Sequence, residues 1–247
     1  MSLKIRDTMD KLKDVVYVFR HGANNSIALR YSLRSLVNVP DKDKVIIVGD
    51  KPDWLNTTNA VHIPCKDIST SPYRNSWHKV LTACQYKYIS RLFYLFNDDF
   101  FILKPMPSDF LYYHKGKIVP VATKHSYRKV VYNTCNFIRQ IMPDKINVYH
   151  YGVHFPFIYN KTKFIDMHRD LKLKDNVSML SHRILYGNYY DVCPKKLVRD
   201  SKVYNVRGFS RINVDMEFIS TCAKIENSPK FEKEMSKIFP NKSIYEL

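Results

Sequence analysis

An α/β fold with a largely parallel central sheet flanked by helices is predicted by three features of the chain. Residues 14–99 run strand, helix, strand, strand, helix, strand, the alternation expected of such a sheet. At 45% hydrophobic residues the chain carries enough apolar surface for a real core. Three of the predicted strands end in polar residues: Arg20-His21, Asp50-Lys51 and Asn97-Asp98-Asp99. In open α/β sheets ligands sit outside the carboxyl ends of the strands, so these groups are expected to converge.

The run DVVYVFR (14–20) is β-branched and aromatic, a buried strand. HGANNS turns the chain, and Asn24, Asn25 or Ser26 can cap the helix IALRYSLRSLV (27–37). There Leu29, Leu33 and Leu36 share one face, and Arg30 and Arg34 another. KVIIVGD (44–50) is the second strand and AVHIP (60–64) a short third. NSWHKVLTACQYKY (75–88) reads as a helix with Trp77, Val80, Leu81 and Cys84 inward. RLFYLF (91–96) is a central strand that delivers Asn97, Asp98 and Asp99 at its carboxyl end.

Further on, KIVPVAT (117–123) reads as a strand, VVYNTCNFIRQIM (130–142) as a helix, and HYGVHFPFIYNK (150–161) as a loop and strand. VSMLSHRILYGNYY (177–190) starts helical and is expected to end at Gly187. NVDMEFISTCAKI (213–225) and PKFEKEMSKIFP (229–240) look like two closing helices. The 247 residues suit one domain, with a donor-binding half over about 1–107 and an acceptor-side half over about 108–247.

Forty basic residues against 23 acidic ones give a net charge of +17, which favours polyanionic partners such as nucleic acid. Five scattered cysteines form no Cys-x-x-Cys pair, which argues against a zinc ribbon or a disulfide scaffold and suits a reducing cytoplasm. The polar start MSLKIRDTMDKLK has no apolar core of a signal peptide, and no run approaches the ~18 apolar residues of a membrane span. The glycines lie too far apart for a Walker loop or a Gly-x-Gly-x-x-Gly turn.

The segment FYLFNDDFFIL (93–103) sets an amide and two adjacent carboxylates between apolar runs. A carboxylate there must neutralise or find a cation. Oxygen ligands at a strand end suit Mg²⁺ or Mn²⁺, which would clamp the diphosphate of a nucleotide-sugar donor. Asn97, Asp98 and Asp99 are therefore candidate metal ligands, with His154, held by the following x-Pro, as a fourth. Arg20, Arg30, Lys51 and Arg183 are candidate phosphate contacts, with Asp50 beside them at a strand end. Asp215 and Glu217 offer a base to deprotonate an acceptor hydroxyl, and Asp99 is a third catalytic candidate.

Taken together, ALRYSLRSL (28–36), VIIVGDKPDWLN (45–56), LFYLFNDDFFIL (92–103) and HFPFIYNK (154–161) resemble, in order, segments of the Stealth family of sugar-1-phosphate transferases. With LYGN (185–188) and FPNKSIYE (239–246), the chain looks more like short phage-encoded relatives of that family. The resemblance implies a GT-A-like nucleotide-sugar fold, a metal and diphosphate at Asn97, Asp98 and Asp99, and active-site roles for His154 and Arg183. Where Stealth members carry an Asp-Gly-Ser-Asp-like segment, this chain has His21-Gly22-Ala23-Asn24, which suits plain glycosyl transfer better. The expectation is thus a metal-dependent glycosyltransferase in the cytoplasm of an infected host, acting on a hydroxymethylated pyrimidine of duplex DNA. The alternatives are sugar-1-phosphate transfer to a glycan hydroxyl and a non-catalytic polyanion-binding relative.

Overall fold

The computed structural model describes residues 13–22, 25–107, 112–122, 124, 126–173, 176–192, 194–196, 200–205, 209 and 216–247. The first half comprises β1 (Lys13–Phe19), α1 (Ile27–Ser35), β2 (Lys42–Gly49), β3 (Val61–Pro64), α2 (Pro72–Gln85), β4 (Leu92–Phe96) and β5 (Phe100–Ile102). There follow β6 (Tyr112–His114), α3 (Ser126–Ile141), β7 (Phe157–Asn160), α4 (Lys161–Asp170), α5 (His182–Tyr189) and β8 (Pro194–Lys196). The last described elements are β9 (Phe218–Ser220), α6 (Ala223–Glu226) and α7 (Pro229–Ile238).

The central sheet has the order β3-β2-β1-β4-β7, parallel except for β7, which runs antiparallel to β4. Period-two alternation assigns each strand side chain to one of two cores. Val16, Ile46, Val48, Phe93 and Leu95 face Trp77, Val80 and Cys84 of α2, with Phe164 of α4 and Ile184 of α5 in the same cluster. Val15, Tyr17, Val45, Ile47, Tyr94 and Phe96 face Leu29, Leu33 and Leu36, the apolar stripe of α1 and its 3₁₀ extension. Each such fully buried aliphatic side chain contributes about 1.5–3 kcal/mol relative to an exposed one. A third cluster packs Phe231 and Met235 of α7 against Tyr31 of α1 and Phe101 of β5.

The polar face of α1 also has a partner. Arg34 donates from Nε and Nη2 to the two carboxylate oxygens of Glu246 at 2.8 and 2.7 Å. Arg30 stacks over Trp54 at 4.8 Å and lies 3.8 Å from the same carboxylate. Arg30 thus serves this tie between α1 and residues 245–247 instead of joining the strand-end groups.

Three elements differ from expectation. Residues 117–122 form no strand: Lys117 makes a single bridge to Tyr149, while Val119 and Val121 are exposed. Pro120 removes a ladder donor in that run. Where one helix was expected over 213–225, Phe218–Ser220 is a strand paired antiparallel with β5, and only Ala223–Glu226 is helical. A short apolar run has no intrinsic preference strong enough to resist an open strand edge. The helix expected to end at Gly187 begins afresh after Ser181 and runs through the glycine. A Cβ there would lie 2.4 Å from the Tyr151 ring, so Gly187 marks a close approach, not a helix end. The caps also differ. Ser26 stands at the cap of α1 in the left-handed region (φ 57°), and its hydroxyl bonds His21 Nδ1 at 3.0 Å instead of a helix N–H.

Gly49 closes β2 with φ +132°, and a Cβ would fall 1.9 Å from the Phe19 carbonyl oxygen of the neighbouring strand. No relaxation of a flexible side chain can relieve a contact with backbone. Gly49→Ala is expected to cost at least ~2 kcal/mol, read as a lowered midpoint in urea unfolding; an unchanged midpoint would show that the β1–β2 edge yields.

Candidate active site

The carboxyl ends of β1, β2 and β4 lie along one edge of the sheet because the three strands are parallel. The antiparallel register of β7, Leu95 opposite Phe157, brings the residues before Phe157 to that same edge. Gly152, Val153 and His154 therefore stand beside Asn97. A cavity of about 260 Å³ opens between them, and its lining includes Asn97, Tyr127, His154 and Arg183. The N-terminal turns of α2 (Pro72, Tyr73, Ser76) and α5 (His182, Arg183) complete its wall. Both helices start there for local reasons. Ser71 and Ser181 accept hydrogen bonds from the third residue on, and Pro72 takes the first helical position.

Arg183 is buried at the floor of this cavity. Its Nη1 donates to the carbonyls of Val153 and Phe155, both at 2.9 Å, and its Nη2 donates to Asn97 Oδ1 at 3.2 Å. The guanidinium also lies over the Phe100 ring. These bonds use three of its five N–H groups. Burial pulls its pKa down, while Tyr159, Asp99 and Tyr127 oppose the shift; a guanidinium keeps its charge regardless.

Of the other expected metal ligands, His154 and Asp99 are held by protein partners. His154 Nδ1 lies 2.9 Å from Asp200, which also pairs with Lys115 at 2.5 Å. Burial would raise the Asp200 carboxyl, but the His154 bond and Lys115 outweigh it and hold it well below the usual range. Asp99 Oδ2 accepts from Lys202 Nζ at 2.6 Å and from Ser220 Oγ at 2.9 Å, while its Oδ1 is buried without a partner. The Asp98 carboxyl is pushed up, first by burial, then by Asp99 and Glu226. Among the described residues no three His, Cys, Asp or Glu side chains are grouped to hold a metal ion. Asn97 and Asp99 each meet a protein cation, Arg183 and Lys202 respectively.

The other candidates are dispersed. Arg20 is exposed, 3.6 Å from Asp67, and Asp50 accepts from the His21 N–H at 2.8 Å. Lys51 is exposed on the same edge. Glu217 is exposed immediately before β9, about 10 Å from Ser220, where Asp99 is held. It precedes a strand, where a helix was expected. Asp215 lies outside the described residues.

His182, which the sequence reading passed over, bridges Ser76 (Nε2, 2.9 Å) and Tyr159 (Nδ1, 2.7 Å). The triplet Ser181-His182-Arg183 could have suggested a cap followed by two chemical groups. Lys202 and Asp200 carry no local signal of their roles.

These elements define a glycosyltransferase-like fold: mixed α/β with a mostly parallel central sheet flanked by helices. Among solved structures the chain is similar to the apo structure of the bifunctional glycosyltransferase WbbM, with a TM-score of 0.51 at 14% identity. The match covers 95% of this chain and 53% of that one, so the chain spans about half the length of the solved protein. No protein-family model and no curated sequence matches, and the resemblance to the Stealth family rests on its quoted segments alone. No helix among the described residues is long and apolar enough to cross a membrane.

Burial, then Arg183, lowers the His182 pKa from 6.5 to about 3. The folded protein thus keeps this imidazole neutral while the unfolded chain takes up a proton below 6.5. His182 therefore costs no stability above pH 6.5 and progressively more as pH falls from 6.5 towards 3, by up to ~1.4 kcal/mol per pH unit. Urea unfolding across that window should show a steeper loss for the wild type than for His182→Gln; equal slopes would place the proton elsewhere.

Proposed function

We propose that the chain is a glycosyltransferase whose donor, a nucleoside-diphosphate sugar, binds the cavity between the β4 carboxyl end and the N-termini of α2 and α5. The observation that carries this reading is the convergence of Asn97, His154 and Arg183 on one cavity at the carboxyl edge. Far apart in sequence, they meet where α/β sheets bind ligands. A diphosphate suits the cavity's electrostatics. A buried guanidinium with N–H groups to spare stands beside two helix N-termini, each of which favours negative charge. The glycosyltransferase-like fold agrees with a sugar donor.

In this reading Arg183 grips the diphosphate and stabilises the charge that grows on it as the glycosidic bond to phosphate breaks. Asn97 sets the guanidinium plane. Asp200 orients His154 through Nδ1, leaving Nε2 for a proton or a phosphate oxygen at the cavity.

For the acceptor we propose a polyanion, with hydroxymethylated duplex DNA as the specific candidate. Its support is the net charge of +17 and residues 112–143, which contain six Lys and Arg and no Asp or Glu. Tyr127 of that stretch reaches the cavity wall. Contact with several phosphates would weaken binding by orders of magnitude between about 50 and 200 mM salt.

Two experiments test these readings. Calorimetry against a panel of UDP- and GDP-sugars should find a donor, with at least ~10-fold weaker binding in Asn97→Asp, which sets a carboxylate beside the diphosphate. Absence of binding by any nucleotide sugar would remove the donor reading. Transfer of labelled sugar to matched duplexes should then mark hydroxymethylcytosine or hydroxymethyluracil DNA and spare unmodified DNA. Label on a free glycan alone would replace the DNA acceptor with the glycan.

A further inference from the structure

Asp99 is one of the four candidate metal ligands, and the structure gives it a protein counter-ion. Lys202 Nζ donates to Asp99 Oδ2 at 2.6 Å, to Ser220 Oγ at 3.2 Å and to the carbonyl of Thr221. Three acceptors match the three protons of an ammonium. The pair is largely shielded, with side-chain exposures of 12% for Lys202 and 15% for Asp99. Ser220 Oγ donates to the same carboxylate oxygen, which locks the acid from a second side.

The lysine is placed by backbone as well as by charge. Val203 N–H donates to Ser220 O, and Ser220 N–H to Ser201 O, so residues 201–203 run as a short ribbon beside β9. Thr221 N–H donates to Asp99 O, which fixes the turn after β4 against the same strand. Ser201 Oγ also donates to the carbonyl of His154. One ribbon therefore delivers Asp200 to His154 and Lys202 to Asp99.

We infer that Lys202 is a resident cation that takes the place of a divalent metal at Asp99, so that this chain binds no metal there. A metal on that carboxylate oxygen would have to displace an ammonium with all its protons paired and leave it shielded and unsatisfied beside a divalent charge. Two neighbouring oxygen ligands are also engaged: Glu226 accepts from the Thr221 hydroxyl at 2.8 Å, and the Asn97 amide oxygen accepts from Arg183. Within the donor reading, on which the functional consequence rests, the diphosphate is then neutralised by fixed protein groups, foremost Arg183. The donor binds with the same affinity in EDTA.

Titrating Mn²⁺ into the full chain and following the free-ion paramagnetic resonance signal tests the inference without any nucleotide. The wild type and Lys202→Arg, which keeps the charge, are expected to leave the signal undiminished. Lys202→Met, which keeps the length and removes the charge, is expected to take up one Mn²⁺ per chain and to lose it again on adding Asp99→Asn. Stoichiometric Mn²⁺ on the wild type that is abolished by Asp99→Asn would overturn the inference. So would a folded Lys202→Met variant, checked by circular dichroism, that takes up none. Failure of every nucleotide sugar to bind would remove the donor reading while these outcomes kept their meaning.

Discussion

The buried guanidinium of Arg183 is the constraint on which the rest of the site depends. It sits at the first turn of α5 and joins Asn97, at the end of β4, to the two carbonyls of residues 153 and 155. Those carbonyls lie in the loop that leads into β7, the one antiparallel strand of the central sheet. Without the guanidinium, three acceptors would lose a shared donor, and each left unsatisfied costs about 1–3 kcal/mol. The cavity wall and the strand register therefore depend on the same side chain. A charge that is expensive to bury is kept at the point where an anion would be received.

Around that centre the polar groups come in fixed pairs. His154 is oriented by Asp200, Asp99 by Lys202, and His182 by Ser76 and Tyr159. Burial keeps His182 neutral and pushes His150, behind the Gly152 turn, down to about 4. The cavity thus presents the charge of Arg183 beside the neutral His182 imidazole and the rings of Tyr73 and Tyr127. Such an arrangement binds an anion without reorganising at the moment of reaction.

The strands and first helices were legible in the sequence because their signals are local. Val15, Val16 and Tyr17 alternate between the two cores, and Leu29, Leu33 and Leu36 recur at helical spacing. Pro120 and the run at Phe218 show the limit. At Pro120 a ladder donor is missing, and at Phe218 the outcome was decided by pairing with β5, which no local pattern records. The carboxyl-edge position of Asn97, His154 and Arg183 could be expected, the last two through family likeness more than through their chemistry. Which of the neighbouring acids meets which cation could not. Lys202 reaches Asp99 across a sequence separation of 103 residues, through pairing with a strand that the sequence presented as a helix. Arg30, a plausible phosphate ligand by type, stacks on Trp54 and lies 3.8 Å from Glu246, contacts that only the folded chain makes.

The most direct measurement is a structure of the chain soaked with whichever nucleotide sugar binds it. Diphosphate oxygens are expected within hydrogen-bond distance of the Arg183 guanidinium and of the N-terminal turns of α2 and α5. The Lys202–Asp99 pair should remain closed beside them. A diphosphate seated instead on Arg20 and Lys51 at the β1 and β2 ends, with the Arg183 cavity empty, would contradict the account.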